Sequence, residues 1–205
     1  MVDNTPSSES RYRARFYFDP NSITMADLDT LYFFSAFSST GRDLFHLYLR
    51  FYNSEYQIRA SIVGDAGLYY FTQWYSLTDA PHFIEIDWQA GAGTGSASLW
   101  IDGSLRQTIS GITSPNQRVD TLWLGPYAGI DTGTRGVYSF DAFESRRQNP
   151  IGGVLADFTA DPTGGNAPFL VQFTDRSLAT QAITYYRWDF GDGTRISTLA
   201  NPQHT

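Results

Sequence analysis

The chain has 205 residues, of which 41% are hydrophobic and 16% aromatic, enough apolar area to fill a core and far from the profile of disordered chains. Its net charge of -7 opposes binding to a phosphate backbone, so nucleic acid is not an expected partner. The cations are all Arg and Cys is absent, which removes Schiff-base chemistry, thiol nucleophiles, Cys-ligated zinc and disulfides. No basic, apolar leader opens the chain and no long apolar run occurs, so membrane insertion is not expected either.

Period-two alternation dominates, the pattern of strands buried on one face. Arg11 to Phe18 sets Arg11, Arg13 and Arg15 against Tyr12, Ala14, Phe16 and Phe18. Further strands are predicted at Leu31–Phe37, Leu44–Tyr52, Tyr56–Val63, Leu68–Tyr75, His82–Gln89, Ser98–Asp102, Leu105–Ile109, Thr121–Leu124 and Val137–Phe143. Turn chemistry separates them at Asp19-Pro20-Asn21-Ser22, in the Gly-rich run Ala90–Gly95, and at Asp102-Gly103 and Asp131-Thr132-Gly133. At Gln148-Asn149-Pro150-Ile151-Gly152-Gly153 the alternation stops, which places a domain boundary between residues 1–149 and 150–205. The fold class expected is all-β: an antiparallel jelly-roll sandwich followed by a smaller immunoglobulin-like sandwich.

His82-Phe83-Ile84-Glu85-Ile86-Asp87-Trp88, followed by Leu99-Trp100-Ile101-Asp102-Gly103, resembles the paired strands of laminin G-like and concanavalin A-like jelly rolls. Tyr138 to Ser145 looks like the last strand of that superfamily. Laminarinase-type hydrolases of this fold carry three alternating carboxylates on one strand, and alternation puts Glu85, Asp87 and Gln89 on one face. Gln89 and Ala90 fill the positions of the acid/base, and an amide cannot protonate a leaving glycosidic oxygen, so the chain is expected not to be an enzyme. Trp88 shares a face with Ile84 and Ile86 and is assigned to the core. Trp74, Tyr75, Trp100 and Trp123 are candidates for sugar stacking, with Glu85 and Asp87 as polar ligand contacts. In several carbohydrate-binding jelly rolls the Asp of the last strand binds a structural calcium. The resemblance therefore implies calcium at Asp141, with Asp19 or Glu9 as helpers.

In the second segment, Trp188-Asp189-Phe190-Gly191-Asp192-Gly193 followed by Asn201-Pro202-Gln203-His204 resembles the hallmark of PKD domains. The closing strands of that family would lie beyond Thr205, so the sheet edge is expected to be open and able to pair with another strand. Asp189 and Asp192 are read as turn formers. Together the resemblances imply an extracellular or cell-surface module of a larger, bacterial protein, non-catalytic, binding a glycan or a surface protein. The alternatives are a structural stalk and an atypical glycoside hydrolase using Glu85 and Asp87.

Overall fold

The computed structural model describes residues 1–147, 151, 154–179 and 182–205. Two compact units are present, Met1–Ile151 and Gly152–Thr205. The predicted linker, Ile151 apart, lies outside the described residues.

The first unit is an antiparallel β-sandwich of jelly-roll type. Its strands are β1 (Val2–Asp3), β2 (Arg11–Asp19), β3 (Thr30–Phe37), β4 (Asp43–Tyr52), β5 (Glu55–Val63), β6 (Tyr69–Phe71), β7 (Tyr75–Leu77), β8 (His82–Gln89), β9 (Gly95–Ile101), β10 (Ser104–Ile112), β11 (Thr121–Ala128) and β12 (Ser139–Arg146). One sheet runs β1-β11-β3-β4-β5-β6, with β7 also paired to β5, and the other runs β10-β9-β8-β2-β12. The facing sides close on one aromatic-rich core: Phe18 stacks on Phe33 at 4.6 Å, Phe16 meets Phe34 at 5.3 Å, and Phe45 stacks on Trp88 at 5.8 Å. Trp88 is fully buried, as its phase demands, and its indole N–H has no hydrogen-bond partner among the described residues.

Local chemistry sets the corners. Asp102 (φ 52) and Gly103 (φ 72) form a two-residue turn with both residues in the left-handed region, the geometry that matches the twist of a hairpin. The stretch Leu68–Tyr75, expected as one strand, is two short strands on β5. Thr72 causes the break, because its backbone N–H donates to the Ala60 carbonyl while its Oγ1 accepts from the Ala60 N–H, replacing a ladder carbonyl with a side chain. The last strand starts at Ser139 rather than Val137, and β1, paired to β11, was not legible.

In the second unit β13 (Val154–Leu155) pairs with β16 (Leu178–Ala179), while β14 (Phe158–Asp161), β15 (Val171–Asp175) and β17 (Gln203–His204) form a three-stranded sheet. Trp188 is half-buried, joined to Ser197 by an isolated bridge, and its indole N–H donates to the Leu199 carbonyl. Asp189 and Asp192 do form turns, accepting from the Gly191 and Thr194 N–H groups. The two halves of the motif meet, since His204 stacks on Phe190 at 3.9 Å and bonds Asp192 at 2.7 Å.

Replacing Trp88 with Ala is expected to cost about 3–5 kcal/mol in a denaturant titration. Trp88→Phe should cost clearly less, because it keeps a ring against Phe45 and removes a buried, unpaired N–H. In the second unit Phe158, Leu170, Tyr185 and Leu199 remain exposed. Hydrogen exchange should therefore be fast across residues 169–190 and slow across 44–51; similar protection of both would show that the smaller unit is the equal of the larger in stability.

Candidate functional site

On the outer face of the five-stranded sheet the predicted carboxylates meet arginines. Asp87 accepts from Arg11 (Nε 3.0 Å, a terminal nitrogen 2.6 Å) and from Arg13 Nε at 2.8 Å. Arg15 bonds Glu144 at 2.8 Å. Glu85 lies in register between Arg15 on β2 and Trp100 on β9. Only 9% exposed, it has its carboxyl pushed up to about 7 by burial, although Arg15 counteracts the shift. Asp87 is thus held in a two-arginine clamp, and Trp100 stands on this sheet, away from the other stacking candidates.

The carboxylates singled out for calcium do not form a cage. Asp141 is exposed and spends Oδ1 on the Ala142 N–H, Asp19 accepts from the Asn21 N–H, and Glu9 lies before β2, beyond the other end of that strand, 3.7 Å from Arg147. Among the described residues no group of three His, Asp or Glu side chains could hold a metal ion. A polar cleft of about 560 Å³ includes Asp120 and Arg42, but these groups serve the backbone: Asp120 accepts from the Ser8 and Ser39 N–H groups, and Arg42 donates to the Gly64 and Asp65 carbonyls.

The outer face of the seven-stranded sheet is of another kind. Trp123, Ser35, His46, Ser61 and Phe71 form one continuous cross-strand row over β11, β3, β4, β5 and β6. Small serines flank the histidine, and rings close over them. Tyr32 lies edge-on to His46 at 5.1 Å and 4.5 Å from Tyr48, Phe37 is 4.9 Å from Tyr127, and Trp123 is 5.2 Å from Tyr127. At the other side Tyr69 stacks over His46 and beside Phe71. Trp123, Tyr127, Tyr69 and Phe71 are all exposed.

Beneath this surface His46 Nδ1 bonds Ser35 Oγ at 2.9 Å, Tyr48 bonds Ser61 Oγ at 3.0 Å, and the Tyr69 hydroxyl donates to Asp43 at 2.6 Å. His46 is fully buried, its Nε2 has no hydrogen bond among the described residues, and burial holds its pKa down to about 4 although Asp43 at 3.6 Å opposes the shift. It is therefore a neutral imidazole at pH 7. Further along, Trp74 lies against two guanidiniums, Arg50 at 4.2 Å and Arg59 at 4.4 Å from the ring centroid, and Arg59 also covers Phe71 at 4.1 Å.

Of the four predicted stacking residues, Trp74 and Trp123 stand on this face. Tyr75 is half-buried against the core and donates to the Arg106 carbonyl and Gln107, and Trp100 belongs to the other sheet. Sequence reasoning missed Tyr32, His46, Tyr48, Tyr69, Phe71 and Tyr127. The signal was present in β4, where His46, Tyr48, Arg50 and Tyr52 alternate with Phe45, Leu47, Leu49 and Phe51, so that both faces carry rings.

No protein-family model and no curated protein matches the chain. Solved structures of similar fold include a heptameric SAP-like pentraxin from Limulus polyphemus (11% identity, TM-score 0.48, 68% of this chain and 65% of that one). They also include the botulinum neurotoxin serotype C1 binding domain (10%, 0.48, 66% and 32%) and the alginate lyase from Klebsiella pneumoniae (11%, 0.47, 67% and 60%). This chain spans less than two thirds of each of them. At these scores the likeness is one of sandwich folds and does not carry ligand or activity across. The expectation of a non-enzyme is corrected here: alginate lyases are among the similar folds, which at these scores assigns no activity to this chain, and the ground for the expectation was narrower than its conclusion. The missing third carboxylate bears on glycoside hydrolysis alone and leaves other chemistry untouched.

Two opposed pH effects should separate by mutation. His46 binds its proton more weakly when folded, so it withdraws stability as pH falls from 6.5 toward 4; Glu85 binds its proton more tightly when folded, so the stability it contributes below pH 4.5 is lost as pH rises toward 7. In melting curves across this window, His46→Asn should flatten the acid-side loss and Glu85→Gln the loss on raising pH. A wild-type slope in either variant would contradict the assigned burial.

Proposed function

We propose that the first unit is a glycan-binding domain whose sugars lie on the outer face of the seven-stranded sheet. The observation that carries this reading is the run of exposed rings Trp123, Tyr127, Tyr69 and Phe71, set over a sheet whose core side is already complete. Flat rings take up the apolar face of a pyranose, and here they remain exposed although they have no part in closing the sandwich. Nearby hydroxyls and guanidiniums supply donors for sugar hydroxyls, the mixture that fixes orientation in a binding site. We further propose that the chain works outside the cell or at its surface, with the second unit acting as a PKD-type spacer. The support for this second element is the Trp188–Gly193 motif and the bonding of its Asp192 to His204. A stalk role has no observation of its own in its favour, because a stalk needs no aromatic face.

Affinity electrophoresis or calorimetry with a panel of soluble polysaccharides tests the location. Trp123→Ala and Phe71→Ala should each weaken binding by roughly fivefold or more, corresponding to about 1 kcal/mol per stacked ring. Trp100→Ala, on the other sheet, should leave it within twofold. Loss of binding in Trp100→Ala with retention in the other two would move the site to the five-stranded sheet.

A further inference from the structure

Five arginines of the first unit are ion-paired with carboxylates; of the other six, Arg42, Arg118 and Arg135 donate to backbone carbonyls and Arg106 lies on β10. Arg11, Arg13 and Arg15 are paired with Asp87 and Glu144, Arg146 with Glu144 and Arg147 with Glu9. Arg50 and Arg59 have no carboxylate within ion-pair distance among the described residues, in a chain with 21 acidic groups to 14 basic ones. Rings hold them instead. Arg50 lies over Trp74 and Tyr52 and donates Nε to Gln57 Oε1 at 2.8 Å. Arg59 lies over Phe71, Trp74 and Tyr48, and its Nε is buried with no hydrogen-bond partner among the described residues.

Burial strips hydration from Arg59, and Arg50 on the same indole repels it, so Arg59 is easier to deprotonate than an ordinary arginine. Among the described residues no acid within ion-pair distance compensates for this. Stacking also has a geometric consequence: with the face covered and Nε engaged in Arg50 or buried in Arg59, the two terminal nitrogens are left as the fork that matches a carboxylate or sulfate. Phe71, a member of the proposed sugar platform, supports one of the two forks directly.

We propose that Arg50 and Arg59 form an anion subsite, so that the glycan taken by this face is an acidic polysaccharide whose carboxylate or sulfate groups sit at Trp74. The inference rests on the glycan-binding reading and sharpens it to a substrate class.

The full chain is titrated with polygalacturonate, with the same polymer methyl-esterified, with dextran sulfate and with a neutral β-glucan. Binding of polygalacturonate or dextran sulfate is expected at least tenfold tighter than binding of the esterified polymer and the glucan, and to weaken as salt is raised. Binding of dextran sulfate alone assigns sulfate, and of polygalacturonate alone carboxylate. Arg50→Gln and Arg59→Gln should each reduce acidic-polymer binding about tenfold, with melting temperature confirming that the fold persists. Arg59→Lys, which keeps the charge and loses the fork, should fall between. Arg195→Gln, which removes an exposed arginine from the second unit, should have no effect; an equal loss there would reduce the result to net charge and overturn the subsite. Equal binding of neutral and acidic polymers, undisturbed by the Arg50 and Arg59 changes, overturns the inference and leaves the glycan-binding reading standing. Binding of none of the four overturns both.

Discussion

Strand β4 lies near the middle of the larger sheet and carries large side chains on both faces. Toward the core, Phe45 meets Trp88 of the opposite sheet, and Leu47 and Leu49 are buried beside it. A strand with only one apolar face would end the aromatic content there. In β4 the alternate positions are His46, Tyr48, Arg50 and Tyr52, so the outside carries rings as well, with Tyr48 paired to Tyr32 on β3 and to Arg59 on β5. The candidate site is built on a sheet that the core has already made rigid, which is how a stacking surface keeps its shape before ligand arrives.

The two outer faces handle charge in opposite ways. On the five-stranded sheet, cross-strand register sets Arg13 against Asp87 and Arg15 against Glu85 and Glu144, so charges cancel within the sheet. On the seven-stranded sheet, the same kind of register sets Arg59 opposite Tyr48 and Arg50 opposite Gln57. Cancellation makes the first face self-sufficient, whereas the second keeps cationic edges and aromatic faces available together. Asp87, prominent in the sequence for its resemblance to a hydrolase motif, serves in the structure as the counter-ion of Arg11 and Arg13, while Glu85 is buried beside it in register with Arg15.

The smaller unit follows a different economy of interactions. Phe158, Phe173, Trp188 and Phe190 cluster with His204, but several of these rings remain partly exposed and the strands that hold them are short. Side-chain hydrogen bonds within the motif segments, such as Asp192 to Thr194 and His204, contribute much of the local order.

Alternation alone determined most of the first unit's strands, the all-β class, the burial of Trp88 and the outward placement of Arg11, Arg13 and Arg15, because in a strand the side-chain period is fixed by the backbone. The Asp102-Gly103 hairpin was equally legible, since few residue pairs accept two positive φ angles. Which outward-facing residues become neighbours was decided by sheet order and register. Trp74 and Trp123 reach the same surface only because β11 pairs with β3 and β5 follows β4, and Trp100 leaves it because β9 pairs with β8 in the other sheet. The same topology brings Phe71 into line with His46 and both arginines onto Trp74, placements that depend on contacts between strands and are invisible to a period read along one of them.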